Sequence, residues 1–281
     1  MSRKQILLIG AGSGALLLAG LGFLAMHHSS GEKKGKEEIL SSAQDSESSN
    51  AKLLFAQAER ARVQGSLVEA KQLYQQVLHA TSSSELALAA QNKLGEVNIK
   101  ILFSSVPTPD SIVYEIQPGD SFFKIAKKFH TTVDLLKAAN GLTTDRLRSG
   151  QRLKITRAAF SVIVDKSQNI VTLKNGEDVL KIYHCSTGAG GNTPVGNFHI
   201  VNRIVNPPWY TPEGVLPAAD PRNVLGTRWM GFDQPGYGIH GTTDPGSIGK
   251  SVTKGCVRLA NNEVEELFVL LPEGTPVTIV D

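Results

Sequence analysis

The spacing of hydrophobic and polar positions changes character along the chain. Ile6 to Met26 is an uncharged apolar run preceded by Arg3 and Lys4. Its length suits a spanning helix of about 20 residues, longer than the apolar core of most cleaved signals. The pattern predicts a transmembrane signal anchor over residues 1–26, with a cleaved signal peptide as the alternative. Residues 27–50 lose all periodicity and are rich in Ser, Glu, Lys and Gly. They read as a disordered linker, too polar to bury a core. Apolar residues return at helical spacing over 51–105: Leu53, Leu54, Ala58 and Ala61, then Leu67, Ala70, Leu73, Tyr74 and Val77, then Leu86, Ala90, Leu94 and Val97. Gly65 separates the first two runs, and this is a small α-helical segment.

After Pro107 and Pro109 the pattern shortens. Val113–Gln117 alternates like a strand. Asp120 or Ser121 caps a helix with Phe122, Ile125, Ala126 and Phe129 on one face. Thr132 caps a second helix that stops at Asn140-Gly141, and Leu153–Ile155 forms a return strand. Residues 112–157 are therefore a βααβ unit. From 159 to 281 alternation dominates, in FSVIVDK, IVTLKN and VLKIYHC, with Asn175-Gly176 as a hairpin signal. Asn262 and Glu265 suggest a capping box for one amphipathic helix, and PVTIV closes a mainly-β domain. A long Pro-rich loop, Pro207–Asn223, is a candidate lid, and Trp209 and Tyr210 on it are candidate walls for a substrate.

Composition narrows the function. A net charge of +3 without concentrated basic stretches argues against nucleic acid as a partner. Two cysteines make no disulfide framework, and no Cys/His cluster has metal-binding spacing, so no cofactor and no metal are expected. The chemistry gathers in YGIHGTTDPGSIGKSVTKGCVRL, Tyr237 to Leu259. His240 and Cys256 form the minimum kit for acyl transfer by a thiol nucleophile and an imidazole base. Gly255 lets the chain turn and expose amides for an oxyanion.

The order YGIHGT, SIGK, S-x-T-x-G-C-V-R closely resembles the signature of the L,D-transpeptidase (YkuD) catalytic family, from about Phe160 to Asp281. STGAGGNTPVGNF, Ser186 to Phe198, resembles another motif lining that family's cleft. The resemblance implies a β-sandwich with one helix. It also implies Cys256 as nucleophile, His240 as general base and the Gly241 carbonyl as its orienting partner, with backbone near Gly255 as oxyanion hole. Substrate contacts would come from Tyr237, Ser186, Thr187, Ser251, Thr253, Lys254 and Arg258. For Arg258 a carboxylate contact and a loop buttress are equally open. Lys254 stands where the family has a second histidine. A lysine there could lower the Cys256 pKa or meet an acidic group, and acceptor choice and rate cannot be carried over from the family.

The βααβ unit resembles a LysM domain through PGDS, IA-K-F, N-G-L and GQ-L-I. The resemblance implies binding of peptidoglycan glycan through Gly119, Asp120, Ser121, Phe122, Asn140, Gly141 and Leu142, although a cap role for Asp120 is as good a reading. The helical segment weakly resembles a tetratricopeptide hairpin, either a protein-partner module or a spacer packed on its neighbours. Together these imply a wall-targeted enzyme forming 3→3 crosslinks between peptide stems. An L,D-carboxypeptidase and a catalytically weak wall anchor are the alternatives. The chain is expected at the bacterial inner membrane as a single-pass protein, its C-terminal domains in the periplasm or extracytoplasmic space. Cys185, beside Ser186, is expected to be a packing residue or, alternatively, to form a redox-sensitive disulfide with Cys256.

Overall fold

The computed structural model describes residues 48–281. The expected transmembrane helix over 1–26 and nearly all of the linker lie outside the described residues. Among the described residues no helix is long and apolar enough to cross a membrane. Residues 48–50, expected in the linker, are already helical, so the first helix, α1, occupies 48–63.

Gly65 ends that run in a turn at φ +80°, a conformation open to glycine. Helices α2 (Leu67–Ala80) and α3 (Ser84–Leu102) follow. Ser83 caps α3 by accepting from the Leu86 amide. Ala58, Ala61, Tyr74, Val77, Ala90 and Val97 interlock as the core of this three-helix layer. Inside it the Tyr74 hydroxyl donates to Glu59, which Arg62 also grips at 2.7 Å.

The next unit is β1 (Ser111–Glu115), α4 (Phe122–Lys128), α5 (Val133–Ala138) and β2 (Arg152–Thr156), with the two strands antiparallel. Ser121 and Thr132 cap its helices. Asp120 is not a cap. Its Oδ2 accepts from the Gln117 amide and the Tyr114 hydroxyl, which holds its carboxyl below the usual range.

The remainder builds β3 (Phe160–Asp165), β4 (Ile170–Asn175), β5 (Asp178–His184), β6 (Thr187–Gly188), β7 (Gly196–Val205), β8 (Trp209–Thr211), β9 (Gly214–Leu216), β10 (Arg228–Phe232), β11 (Gly238–His240), β12 (Ser251–Thr253), β13 (Val257–Arg258), α6 (Asn261–Leu270) and β14 (Pro276–Val280). The expected sandwich is realised as one eight-stranded mixed sheet, ordered β13-β11-β10-β7-β14-β3-β4-β5. The long strand β7 joins its halves, pairing with β14 through Gly196–His199 and with β10 through Ile200–Val205. The Pro207–Asn223 loop is not structureless, because it carries the β8–β9 hairpin. Asn223 closes its base, donating to Pro207 O at 2.9 Å and accepting from the Leu225 amide. The expected capping box is absent: α6 begins after Ala260 without a side-chain cap.

The three units drawn from sequence share one core. Ile99 and Leu102 of α3 and Leu135 and Ala139 of α5 belong to the same buried cluster as Val162, Val171, Ile239 and Leu267. Polar bonds reinforce these seams. Asn98 donates to Leu180 O at 2.8 Å. The Thr132 hydroxyl donates to Val269 O. Arg203 donates to Phe268 O and lies 3.4 Å from Asp134. Buried Lys154 reaches from β2 to Ile101 O at 3.0 Å and Ser104 O at 2.8 Å at the carboxyl end of α3. A cation suits that site, since the last helical carbonyls lack intrahelical partners. Desolvation still lowers the Lys154 pKa. The helical segment is thus docked on its neighbours.

Candidate active site

Strands β11 and β13 run parallel, with Ile239 opposite Val257 and His240 opposite Arg258. Side chains alternate across a strand, so His240 and Arg258 share a face. Cys256 lies in the bend that leads directly into β13. Trp229 pairs with His240 from β10, and its ring stacks on the imidazole at 6.1 Å.

His240 is only 3% exposed. Its Nδ1 lies 2.6 Å from Gly241 O. A carbonyl can only accept, so Nδ1 carries the proton and Nε2 keeps a lone pair. Burial pushes the imidazole pKa down to about 4, assisted by the Arg258 charge and opposed by the Gly241 and Leu225 carbonyls. The ring is therefore neutral at pH 7, the state a general base requires.

Asn261, the first residue of α6, holds the segment that holds the histidine. Its Oδ1 accepts from the Thr242 amide at 2.9 Å and the Thr227 amide at 3.3 Å, and its Nδ2 donates to Thr242 O at 2.9 Å. A Cβ on Gly241 or Gly226 would run into this Oδ1. Neither Asn261 nor Trp229 is singled out by the sequence pattern.

Cys256 is half-buried, and burial raises its thiol pKa while the Gly238 amide and the Arg258 charge pull it down. The thiol points to Gly236 O at 3.4 Å, and among the described residues it makes no hydrogen bond to His240. The resting site holds a neutral thiol and a neutral imidazole, and catalytic bonds often tighten only with substrate bound. The turn before it is tightly specified. Gly255 sits at φ +136°, and a Cβ there would come within 2.6 Å of the Tyr237 ring. Thr253 Oγ1 donates to Cys256 O at 2.7 Å and accepts from the Gly255 amide at 3.1 Å.

Several expected roles change. The Gly255 amide is taken by Thr253, so it is not free for an oxyanion. The Cys256 amide has no hydrogen-bond partner among the described backbone bonds and is the better donor. Thr253 and Tyr237 buttress the turn. Ser186 and Thr187, 0% and 1% exposed, are beyond substrate reach. Ser186 bonds Ser247 O at 2.7 Å and bridges Arg258 through the backbone, and Thr187 donates to Asn169. Ser251 is exposed, with its hydroxyl 3.3 Å from that of Thr187. Arg258 Nη1 donates to Ser247 Oγ at 3.0 Å, a loop buttress, while its buried Nε has no partner. Cys185 lies 0% exposed in the core with its thiol pushed up to about 12. Both cysteines are free, so the packing role is the one seen.

Trp209 and Lys254 meet, the ammonium 5.5 Å from the ring centre. They wall a cleft of about 420 Å³ together with Glu213, Leu216 and Arg222. Tyr210 points away from that cleft and is exposed.

In the βααβ unit Phe122 is 5% exposed and belongs to its core, whereas Phe123 is 71% exposed beside the Gly119–Ser121 turn. Asn140 spends its amide on structure, donating to Leu136 O and Lys154 O and accepting from the Lys154 amide. Leu142 packs on the same core. Gly119 and Gly141 take positive φ in tight turns.

A family model of the L,D-transpeptidase catalytic domain matches residues 159–279, and one of the LysM domain matches residues 114–156. The Bacillus subtilis (strain 168) L,D-transpeptidase YkuD is 33% identical over 175 residues, covering 60% of this chain and 98% of the relative. This chain belongs to the L,D-transpeptidase (YkuD) family. A second B. subtilis relative, YqjB, is 40% identical over 126 residues, 43% of this chain and 70% of its own. A crystal structure of L,D-transpeptidase 3 from Mycobacterium tuberculosis is similar at TM-score 0.39 and 16% identity, over 47% of this chain and 66% of that one. The L,D-transpeptidase thus joins a catalytic domain to a LysM peptidoglycan-binding domain.

Proposed function

We propose that this L,D-transpeptidase crosslinks peptidoglycan stems 3→3 through a thioester on Cys256. The observation that carries this is a neutral His240, with Nδ1 committed to Gly241 O, on the strand that pairs with the one Cys256 leads into. His240 Nε2 takes the thiol proton as sulfur attacks the carbonyl of the third residue of a tetrapeptide stem. The Cys256 amide steadies the oxyanion. The terminal D-Ala leaves with the proton, and the thioester remains. An amine from a neighbouring stem then attacks, the C–S bond breaks, and the thiol is restored. Thioesters suit this exchange because the thiolate leaves readily and amines compete well with water.

The LysM unit brings this chemistry to glycan, with exposed Phe123 available to stack on a sugar face. We place the working domains outside the cytoplasm, where such a wall is found, tethered by the apolar run of residues 1–26.

Intact-mass spectrometry of the full chain with a disaccharide-tetrapeptide, beside Cys256→Ala, tests the reading. The expected result is an acyl adduct with D-Ala released, then a 3→3 dimer, none of it in the variant. Tripeptide without dimer would replace crosslinking with L,D-carboxypeptidase action. Glycan binding with no adduct would leave a wall anchor.

A further inference from the structure

Trp229 sits opposite His240 in the β10–β11 pair. Backbone bonds join Gly241 N to Arg228 O and Phe232 N to Tyr237 O. By the alternation of an antiparallel ladder, Trp229–His240 and Gly231–Gly238 are then the non-hydrogen-bonded pairs, where facing side chains come closest. The second pair is two glycines, and the indole lies over them. A Cβ on Gly238 would meet Trp229 Cζ2 at 3.0 Å, and a Cβ on Gly231 would come within 2.7 Å of Trp229 Nε1 and 2.6 Å of Asn202 Oδ1. Asn202, opposite Gly231 on β7, accepts from Trp229 Nε1 at 3.0 Å and from the Gly231 amide at 3.2 Å. The ring is thus seated on two glycines and tied by Asn202, and it stacks on the imidazole with the planes 22° apart. The same stretch of β11 and the turn before it touch the nucleophile. Gly236 O accepts from the Cys256 thiol at 3.4 Å, and the Gly238 amide pulls the thiol pKa down. The indole therefore spans from the base to the segment that contacts the thiol.

The bond from His240 Nδ1 to Gly241 O fixes one atom of the imidazole. It leaves the ring free to tilt about that bond, which would turn Nε2 away from the thiol it must reach. A flat, immobilised surface against the ring removes this freedom. We propose that Trp229, pinned by Asn202, is a positioning residue for the reaction and sets the plane of the His240 imidazole. The Gly231–Gly238 pair is the seat that lets the indole lie in place. The inference rests on His240 acting as the base in the reading above, and it adds what aims that base. Among charged groups on the neighbouring elements, Arg258 of β13 opposes protonation of the ring. Arg203 of β7 and Arg228 of β10 turn to Phe268 of α6 instead, and Arg228 lies 3.7 Å from Glu265 of that helix. The indole contributes an uncharged wall.

The test is single-turnover acylation of the full chain by a tetrapeptide donor, read by mass spectrometry across donor concentrations. This separates the rate of acylation from donor saturation. Trp229→Ala should slow acylation by more than about tenfold, since misplacing a base by about 1 Å can cost a hundredfold, and should leave donor saturation unchanged. Trp229→Phe keeps a flat face and should recover most of the rate. Asn202→Ala, at an exposed position, should slow acylation about fivefold, the worth of one hydrogen bond. It should add nothing to Trp229→Phe, which has no N–H to tie. If Trp229→Ala does not fold, Trp229→Phe and Asn202→Ala carry the test. A loss confined to donor saturation would make Trp229 a substrate wall and overturn the proposal. An Asn202→Ala effect equally large in both backgrounds would overturn it too. A second readout needs no turnover. In the Cys256→Ala protein, the NMR titration of His240 should move upward on adding Trp229→Ala, because water then reaches the ring, and should return with Trp229→Phe. A titration that stays in place removes the proposal. Wild-type protein that forms no acyl-enzyme would instead sink the reading of His240 as base, whereas failure of the inference alone leaves wild-type acylation intact.

Discussion

Asn261→Ala is the sharpest test of how the histidine is held. The side chain makes three bonds to the backbone at one end of the β10–β11 pair, to Thr242 and Thr227, at 2.9, 3.3 and 2.9 Å. Truncation strands the Thr242 amide, in a residue that is almost wholly buried, and weakens the satisfaction of the half-buried Thr227. A buried donor left unpaired costs about 1–3 kcal/mol. Alanine returns only a few tenths of a kcal/mol as a better helix former. The net loss should be about 1–3 kcal/mol, a fall in Tm of roughly 2–12 °C for a body of this size. Gly241, whose carbonyl orients His240, sits in the released segment. Misplacement of a base by about 1 Å can cost a hundredfold, so acylation should slow by at least about tenfold at temperatures where the variant is folded. Asn261→Asp keeps both acceptor contacts, loses the donor to Thr242 O and should fall between. The assays are calorimetry and single-turnover acylation. An Asn261→Ala protein with wild-type Tm and wild-type acylation would refute the account.

Three further outcomes follow from the same contacts. Folded His240 binds its proton near pH 4 but the unfolded chain near 6.5, so the unfolded state holds the extra proton between them. Stability should therefore rise with pH across that window and be lost on acidification, by up to about 3 kcal/mol. Urea unfolding should show this dependence flattened in His240→Gln, and the acid limb of kcat/KM should lie near pH 4 rather than 6.5. Lys154→Ala removes the two bonds to the α3 carboxyl end and should cost about 2 kcal/mol, with hydrogen exchange rising first at residues 99–106; unchanged exchange there would count against it. Phe123→Ala should weaken glycan binding severalfold in a pull-down on insoluble peptidoglycan without moving Tm, because the ring is exposed. A matching loss of Tm would make it a packing residue.

The strands of the catalytic sheet were readable because one face is buried and alternation is unambiguous. Cys256 and His240 were readable because their local wording is distinctive. What the chain does not advertise is pairing between distant segments. Asn261 acts on partners 19 and 34 residues away and Lys154 on partners 50 and 53 away, and nothing in their immediate neighbours, or in those of Trp229 and Asn223, marks them. Small polar residues near a nucleophile look alike whether they face a ligand or the backbone, and the sequence does not show that Ser186, Thr187, Thr253 and Asn140 bond to the protein itself. Phe122 and Phe123 show the same limit at single-residue scale. Helical spacing with Ile125 and Ala126 already placed Phe122 inward, so its neighbour was the one left for solvent.

The seam between the LysM unit and the catalytic sheet has a consequence for geometry outside the protein. With α5 and α6 sharing a core, and Lys154, Thr132 and Arg203 bonded across the joints, the grip on glycan and the point of reaction cannot swing independently. On the crosslinking reading proposed above, the molecule would act as a jig: where it clamps a strand would dictate which stem it presents for cutting and joining. Substitutions at the seam would then alter the pattern of joints along the wall while leaving the chemistry of each joint intact.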